Sequence, residues 1–274
     1  WCFDLVKQRI AEAGTAAGGG HELRRALGVG ISAPQGCGKT TLVTFLQRLF
    51  ASDNLHCAVC SIDDFYLTNA EQQELARSNE GNALLQLRGN AGSHDLELGA
   101  RTLQRLLARE RDVRIPAYDK SAKGGKGDRA PPEAWPVQHE PADVVLFEGW
   151  MNGFAPLMSE DEALVAHQGL REVNRHLVGY SRWHDLQDAW VVLALDDVQH
   201  VFDWRLQAER AMAAAGKPGM SDAGVRDFVS RYIPAYAAYL PGLYSSARGG
   251  GVGGKPTLLV RVDGKRNAIA DAKE

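Results

Sequence analysis

Residues 27–41 read LGVGISAPQGCGKTT, and this stretch decides the fold. Leu27–Ser32 is a short apolar run that predicts a buried strand. A glycine-rich turn follows, and Lys39-Thr40-Thr41 opens a run with helical spacing. Strand, turn and helix in that order are the setting in which Gly-Lys-Thr marks a loop that cradles phosphates. Backbone N–H groups of such a loop converge on one polyphosphate. Ala33, Pro34, Gln35, Gly36, Cys37, Gly38, Lys39, Thr40 and Thr41 are therefore the candidate nucleotide contacts. Lys39 is also a candidate catalytic cation in reach of the β- and γ-phosphates, and the Thr40 hydroxyl is a candidate Mg²⁺ ligand. The usual spacing, GxxxxGK[ST], has glycine where this chain has Ala33. A glycine-rich hairpin with a surface lysine is the competing reading, and the flanking strand and helix argue against it. Leu42, Val43, Phe45, Leu46, Leu49 and Phe50 form the expected apolar side of the helix, whose N-terminal dipole adds to the site.

The chain has 274 residues, enough for one large α/β domain or one domain with a lid. Its net charge of −3 lacks the basic surplus of nucleic-acid binders, so an anionic substrate must be met by a local cluster of cations. No apolar run is long enough to span a membrane. Four cysteines (Cys2, Cys37, Cys57, Cys60) suggest no disulfide framework and a reducing compartment. Cys57 and Cys60 lie on an expected strand and read as core thiols, whereas Cys37 is the thiol whose modification would block the loop. The chain opens at Trp1 rather than methionine, so an upstream segment with room for a targeting peptide is expected.

Five β-rich runs stand out, at Leu27–Ser32, His56–Ile62, Asp143–Phe147, Trp190–Leu195 and Thr257–Val262. Most are continuously apolar, as strands buried on both faces of a parallel sheet are. Helical patterns at 41–50, 96–110, 160–178, 199–215 and 222–240 alternate with them, which reads as a doubly wound α/β sheet. Residues 1–26 suggest a leading helix and a glycine linker (Gly18–Gly20), while 119–136 and 245–256 look irregular.

Acids sit where the expected strands end. Asp63 and Asp64 follow the second strand, and a carboxylate there is placed to take the proton of an acceptor hydroxyl and to help hold Mg²⁺. Periodicity does not choose between the two. Glu148 ends the third strand and is a further candidate metal ligand, and Asp196-Asp197 repeats the pattern after the fourth. Arg88, His94, Lys120 and Lys123, with Lys126 and Arg129 beyond them, concentrate cations between the second and third strands. Such a cluster suits an anionic acceptor.

The segments APQGCGKTT, SIDDFYLT, GNAGSHDLELG, PAYDKSAKGGKGDR, VLFEGWMNGF and WRLQAER…GKPGMSDAGVRDFVSRYIPAYAAYL, in this order, resemble the D-glycerate 3-kinases of plants, algae and fungi. That group is a branch of the phosphate-loop kinases that also includes uridine kinase, phosphoribulokinase and bacterial pantothenate kinase. The resemblance runs from about residue 27 to 269. It implies a three-layer α/β/α P-loop fold with five parallel strands, a single kinase domain over 27–274 and a helical lid around 199–222. It also implies an ATP- and Mg²⁺-dependent kinase that phosphorylates D-glycerate at the 3-hydroxyl, with no nucleic-acid or membrane partner, as a monomer or weak homo-oligomer. By resemblance Asp63 is the catalytic base, Thr40, Asp63 and Glu148 surround Mg²⁺, and Arg205, Arg210 and Lys217 lie in or near the lid. Of these, Arg205 joins the catalytic set and Lys217 the nucleotide contacts. Asp63, Tyr66, Arg88, His94, Asp95, Tyr118, Lys120 and Lys123 face the acceptor. The lid departs from the uridine-kinase Arg-x-x-Arg pattern, reading Arg205-Leu206-Gln207-Ala208, and the tail RVDGKRNAIAD resembles an adenine-side segment. Plant and algal members are chloroplast enzymes of photorespiration and fungal ones are not, so the stroma or the cytoplasm is implied accordingly. Two alternatives remain: a kinase of the same superfamily for a nucleoside, pantothenate or a phosphosugar, and a nucleotide-binding switch. The Asn-Lys-x-Asp of GTP switches is missing from the sequence.

Overall fold

The computed structural model describes residues 1–16, 25–159, 166–216 and 219–269. Helix α1 (Cys2–Ala16) precedes β1 (Leu27–Ser32), α2 (Lys39–Ser52) and β2 (Cys57–Ser61). Helices α3 (Asn69–Ser78) and α4 (Leu96–Leu107) are followed by the short strands β3 (Val113–Arg114), β4 (Tyr118–Asp119), β5 (Asp128–Arg129) and β6 (Val137–Gln138). Then come β7 (Val144–Gly149), α5 (Leu170–Leu177), α6 (Ser181–His184) and β8 (Ala189–Leu195). Last are α7 (Gln199–Ala214), α8 (Asp222–Ser230), α9 (Ile233–Gly249), β9 (Thr257–Val262) and β10 (Ala268–Ile269).

The main sheet runs β10-β9-β8-β1-β7-β2, parallel throughout except for β10, which pairs antiparallel with β9. Burial explains the sequence pattern. β1 and β8 are buried along their whole length, while β2, at the edge, alternates between buried and half-buried residues. Central strands are covered on both faces, so they read as unbroken apolar runs. Helices α2 and α4 pack on the β7 side of the sheet and α9 on β8 and β9. The chain leaves β1 for the edge strand β2, returns to β7 beside β1, then continues on the other side at β8. β1 is thus the switch point, and the crevice at its carboxyl end is where such sheets bind ligands.

Several local expectations are corrected. The sheet has a sixth strand, β10, closing a hairpin that the apolar pattern does not mark. The run 222–240 is two helices, α8 and α9, and residues 245–249 belong to α9 instead of a loop. Phe45 is 61% exposed, so the buried side of α2 is Val43, Leu46 and Phe50. The linker glycines and residues 160–165 lie outside the described residues.

Candidate active site

The phosphate loop leaves β1 at Ala33, whose N–H donates to Gly149 O at 3.2 Å. Its left-handed turns fall on Gly36 (φ 83°) and Gly38 (φ 99°). Glycine takes these conformations without a Cβ penalty. Ala33 carries no such turn, so its backbone conformation does not require the glycine of the usual motif. Gly38 caps α2 without a side-chain hydrogen bond, so the first-turn N–H groups face the mouth of the loop. Lys39 Nζ donates to Ala33 O at 2.8 Å and to Pro34 O at 3.2 Å, folding its ammonium over the loop. The Tyr236 hydroxyl receives Gln35 N–H at 3.1 Å, bracing the loop from α9. Cys37 is buried, its Sγ donates to Pro34 O, and burial pushes its thiol up despite the nearby Lys39. A protonated, covered thiol is a poor target, so the modification that would block the loop is hard to make.

Asp63 and Asp64 share one 3-10 turn, Ile62–Phe65, directly after β2. Asp64 Oδ2 accepts Ser61 N–H at 2.7 Å and Ser61 Oγ accepts Asp63 N–H at 3.3 Å, a reciprocal capping box. Burial, assisted by the charges of Asp63 and Glu148, pushes Asp64 up to about 7. Asp63 behaves oppositely. Burial would raise it, but the Lys120 ammonium, 2.5 Å from Oδ2, and a hydrogen bond from Tyr66 hold it below the usual carboxylate range. Glu148 pairs in register with Ile31 of β1 and Ser61 of β2, so it lies between the phosphate loop and the Asp63 turn.

Around Asp63, Tyr66 stacks on His94 at 4.5 Å and meets Tyr118 edge-on at 5.1 Å. The Arg88 guanidinium lies 5.5 Å from the Tyr118 ring centre and donates to the carbonyls of Gly125 (3.0 Å), Lys126 and Lys120 (3.4 Å). Arg88 thereby latches the cationic loop. Lys123 sits 3.8 Å from Asp128. Asp95 caps α4 through Leu98 N–H at 2.9 Å and pairs with Arg129 at 3.2 Å. At Gly89 (φ 146°) a Cβ would stand 2.7 Å from the Tyr232 hydroxyl, so only glycine lets Tyr232 approach. His94 is not the cation expected from the sequence. It is 5% exposed, its Nδ1 lies 2.6 Å from the Tyr180 hydroxyl, and burial pushes it down to about 3. It is neutral at physiological pH.

Residues 29–160 match the phosphoribulokinase / uridine kinase family. An uncharacterized kinase, mug58, of Schizosaccharomyces pombe is 40% identical over 77% of this chain and 80% of its own length. The solved structure of a D-glycerate 3-kinase from Cryptococcus neoformans var. grubii superposes with a TM-score of 0.82 at 32% identity, over 97% of this chain and 95% of that one. This chain belongs to the D-glycerate 3-kinase group of the phosphoribulokinase/uridine kinase family. The chloroplastic D-glycerate 3-kinase of Arabidopsis thaliana is 49% identical over 88% of this chain, and this chain spans 53% of its length.

In this member of the group, Arg205 is held by Glu209, with 2.5 Å between Nη2 and Oε1, and lies 4.8 Å from the Phe228 ring. Glu209 is 3% exposed and also accepts Met220 N–H at 2.7 Å, tying α7 to the segment before α8. Arg210 pairs with Asp222 at 3.0 Å, and Lys217 lies outside the described residues. Sequence reasoning missed Tyr236 and Tyr232 beside the loop, Glu209, and the Lys120–Asp63 pair. The tyrosine-rich segment 232–244 was a visible signal for the first two. No helix among the described residues is long and apolar enough to cross a membrane.

Proposed function

We propose that this chain transfers the γ-phosphoryl group of ATP to the 3-hydroxyl of D-glycerate, giving 3-phospho-D-glycerate and ADP. The observation that carries the assignment is the Asp63–Lys120 pair, an ionised carboxylate and an ammonium side by side at the carboxyl end of β2, one strand beyond β7 from the phosphate-loop strand. Asp63 accepts the proton of the 3-hydroxyl as its oxygen bonds to phosphorus and the bond to the ADP oxygen breaks. An ammonium has three N–H donors, so Lys120 serves Asp63 with one and the glycerate carboxylate with the others. Lys123 and the remaining Arg88 donors add to that charge, and Tyr66 and Tyr118 wall the pocket. Lys39 and the loop N–H groups bind the β- and γ-phosphates, while Arg205, swung from Glu209 with the α7–α8 lid, neutralises the transferring group.

Mg²⁺ would be held by Thr40, Asp63 and Glu148, and when bound it would neutralise the β- and γ-phosphate oxygens. The fit is one of donor chemistry. The described residues hold no cluster of three acidic, histidine or cysteine ligands that would cage a metal unaided. Hard oxygen ligands completed by water and phosphate are what Mg²⁺ takes.

A coupled assay for ADP tests the proposal, with D-glycerate, glycerol, uridine and pantothenate offered in turn. Turnover is expected with D-glycerate alone. Faster turnover of another acceptor, or ATP hydrolysis that no acceptor accelerates, overturns it. In the same assay Lys39→Ala is expected to lose about 10²–10³-fold in rate.

A further inference from the structure

Arg266 lies at the far end of the chain from the phosphate loop, yet its Nε donates to Gly36 O at 2.6 Å. The contact is built from several directions. Arg266 sits in the turn joining β9 to β10 with φ at 65°, in the left-handed region. Asp263 Oδ1 braces that turn by accepting Lys265 N–H and Asn267 N–H, each at 2.8 Å. The guanidinium lies 4.8 Å from the Trp204 ring, and its Nη1 donates to Gln207 Oε1 at 3.2 Å. Trp204 in turn donates to Gly264 O at 2.8 Å and fills the space where a Gly36 Cβ would stand, 2.9 Å from its own Cβ. The C-terminal hairpin, α7 and the phosphate loop therefore meet at one peptide.

That peptide has Gly36 C=O at one end and Cys37 N–H at the other. In a phosphate loop the N–H groups turn toward the anion and the carbonyls turn away. A cation on the carbonyl fixes the plane of the peptide and polarises it, which strengthens the N–H on the opposite side. The guanidinium charge reaches this far: burial raises the Cys37 thiol, and Lys39 and Arg266 both pull it down.

We propose that Arg266 is a positioning residue for nucleotide binding: it acts through the Gly36–Cys37 peptide to present the Cys37 N–H to the phosphates of ATP and ADP. The inference rests on the phosphate-loop assignment above. It is tested by titrating ATP and ADP into the wild type, Arg266→Ala, Arg266→Lys and Lys39→Ala by calorimetry, with KM for D-glycerate measured alongside. Arg266→Ala is expected to weaken ATP and ADP about tenfold, the size of one charged hydrogen bond. Its KM for D-glycerate is expected to stay within about twofold, and Arg266→Lys, which keeps the charge without the planar fork, to fall between the two. Unchanged nucleotide affinity in Arg266→Ala, or equal weakening of nucleotide and acceptor, overturns the inference. If Arg266→Ala does not fold, Arg266→Gln is judged by the same criteria. Loss of ATP binding in Lys39→Ala with none in Arg266→Ala sinks this inference alone, whereas wild-type binding in Lys39→Ala sinks the phosphate-loop assignment and this inference with it.

Discussion

Asp63 and Asp64 are adjacent, chemically identical and opposite in behaviour. Asp64 spends its carboxylate on the Ser61 N–H and is pushed up to about 7, whereas Asp63 faces Lys120 and stays ionised. Asp63→Asn is accordingly expected to lower kcat about 10²–10⁴-fold, the usual contribution of a positioned base, and Asp64→Asn far less. Steady-state kinetics of both variants checks this, and equal losses would mean that the base is misassigned. Ser61-Ile62-Asp63-Asp64 already carries the S-x-x-D spacing of a capping box, so the structural role of Asp64 was available in the sequence. The neutrality of His94 was not. It depends on Tyr66, Tyr180 and Trp183 closing around the ring, and two of these lie more than eighty residues further along the chain.

Among the elements, the cationic loop between β4 and β5 is the one that the proposed function makes responsible for acceptor choice. Arg88 grips it through three backbone carbonyls, so its loss frees the segment that carries Lys120 and Lys123. Arg88→Ala is expected to raise KM for D-glycerate about tenfold while moving KM for ATP much less, since a bound carboxylate loses one charged partner's worth of positioning. Glycerol is expected to be a poor substrate, because it would leave desolvated cations unpaired. Comparable efficiency on glycerol and D-glycerate would rule out an anionic pocket. The parallel strands were legible because double-sided burial leaves an unbroken apolar signature. The break between α8 and α9 was not, although Pro234 marks it: at the second position of α9 its missing N–H costs nothing, and it disfavours helical backbone just before it. The β9–β10 hairpin had only Asp263-Gly264 to announce it, since β10 is two residues long.

For the molecule as a whole, burial of titratable groups sets how stability answers to acid. His94 and His184 are pushed down to about 3 and about 4 by burial, so between about pH 5 and 6 the unfolded chain binds two protons that the native state refuses. Asp64 works the other way, because its carboxyl near 7 keeps a proton in the native state that the unfolded chain releases. Two histidine protons, joined in part by that of His176, which burial also pushes down, outweigh one carboxyl proton, so unfolding takes up protons in net. Stability is therefore expected to fall on acidification through that window, by on the order of 1 kcal/mol per pH unit. Asp63, held below the usual carboxylate range, adds its own loss only at lower pH. His184 accepts Gly153 N–H at 3.1 Å, and Gln can offer a carbonyl to the same donor, so His184→Gln is expected to fold and to make the slope shallower than that of the wild type. Urea unfolding of the two proteins in EDTA at about pH 5.0, 5.5 and 6.0 measures both slopes. Parallel slopes would mean that His184 titrates normally in the native state, and a wild-type stability that rises on acidification would mean that Asp64 outweighs both histidines.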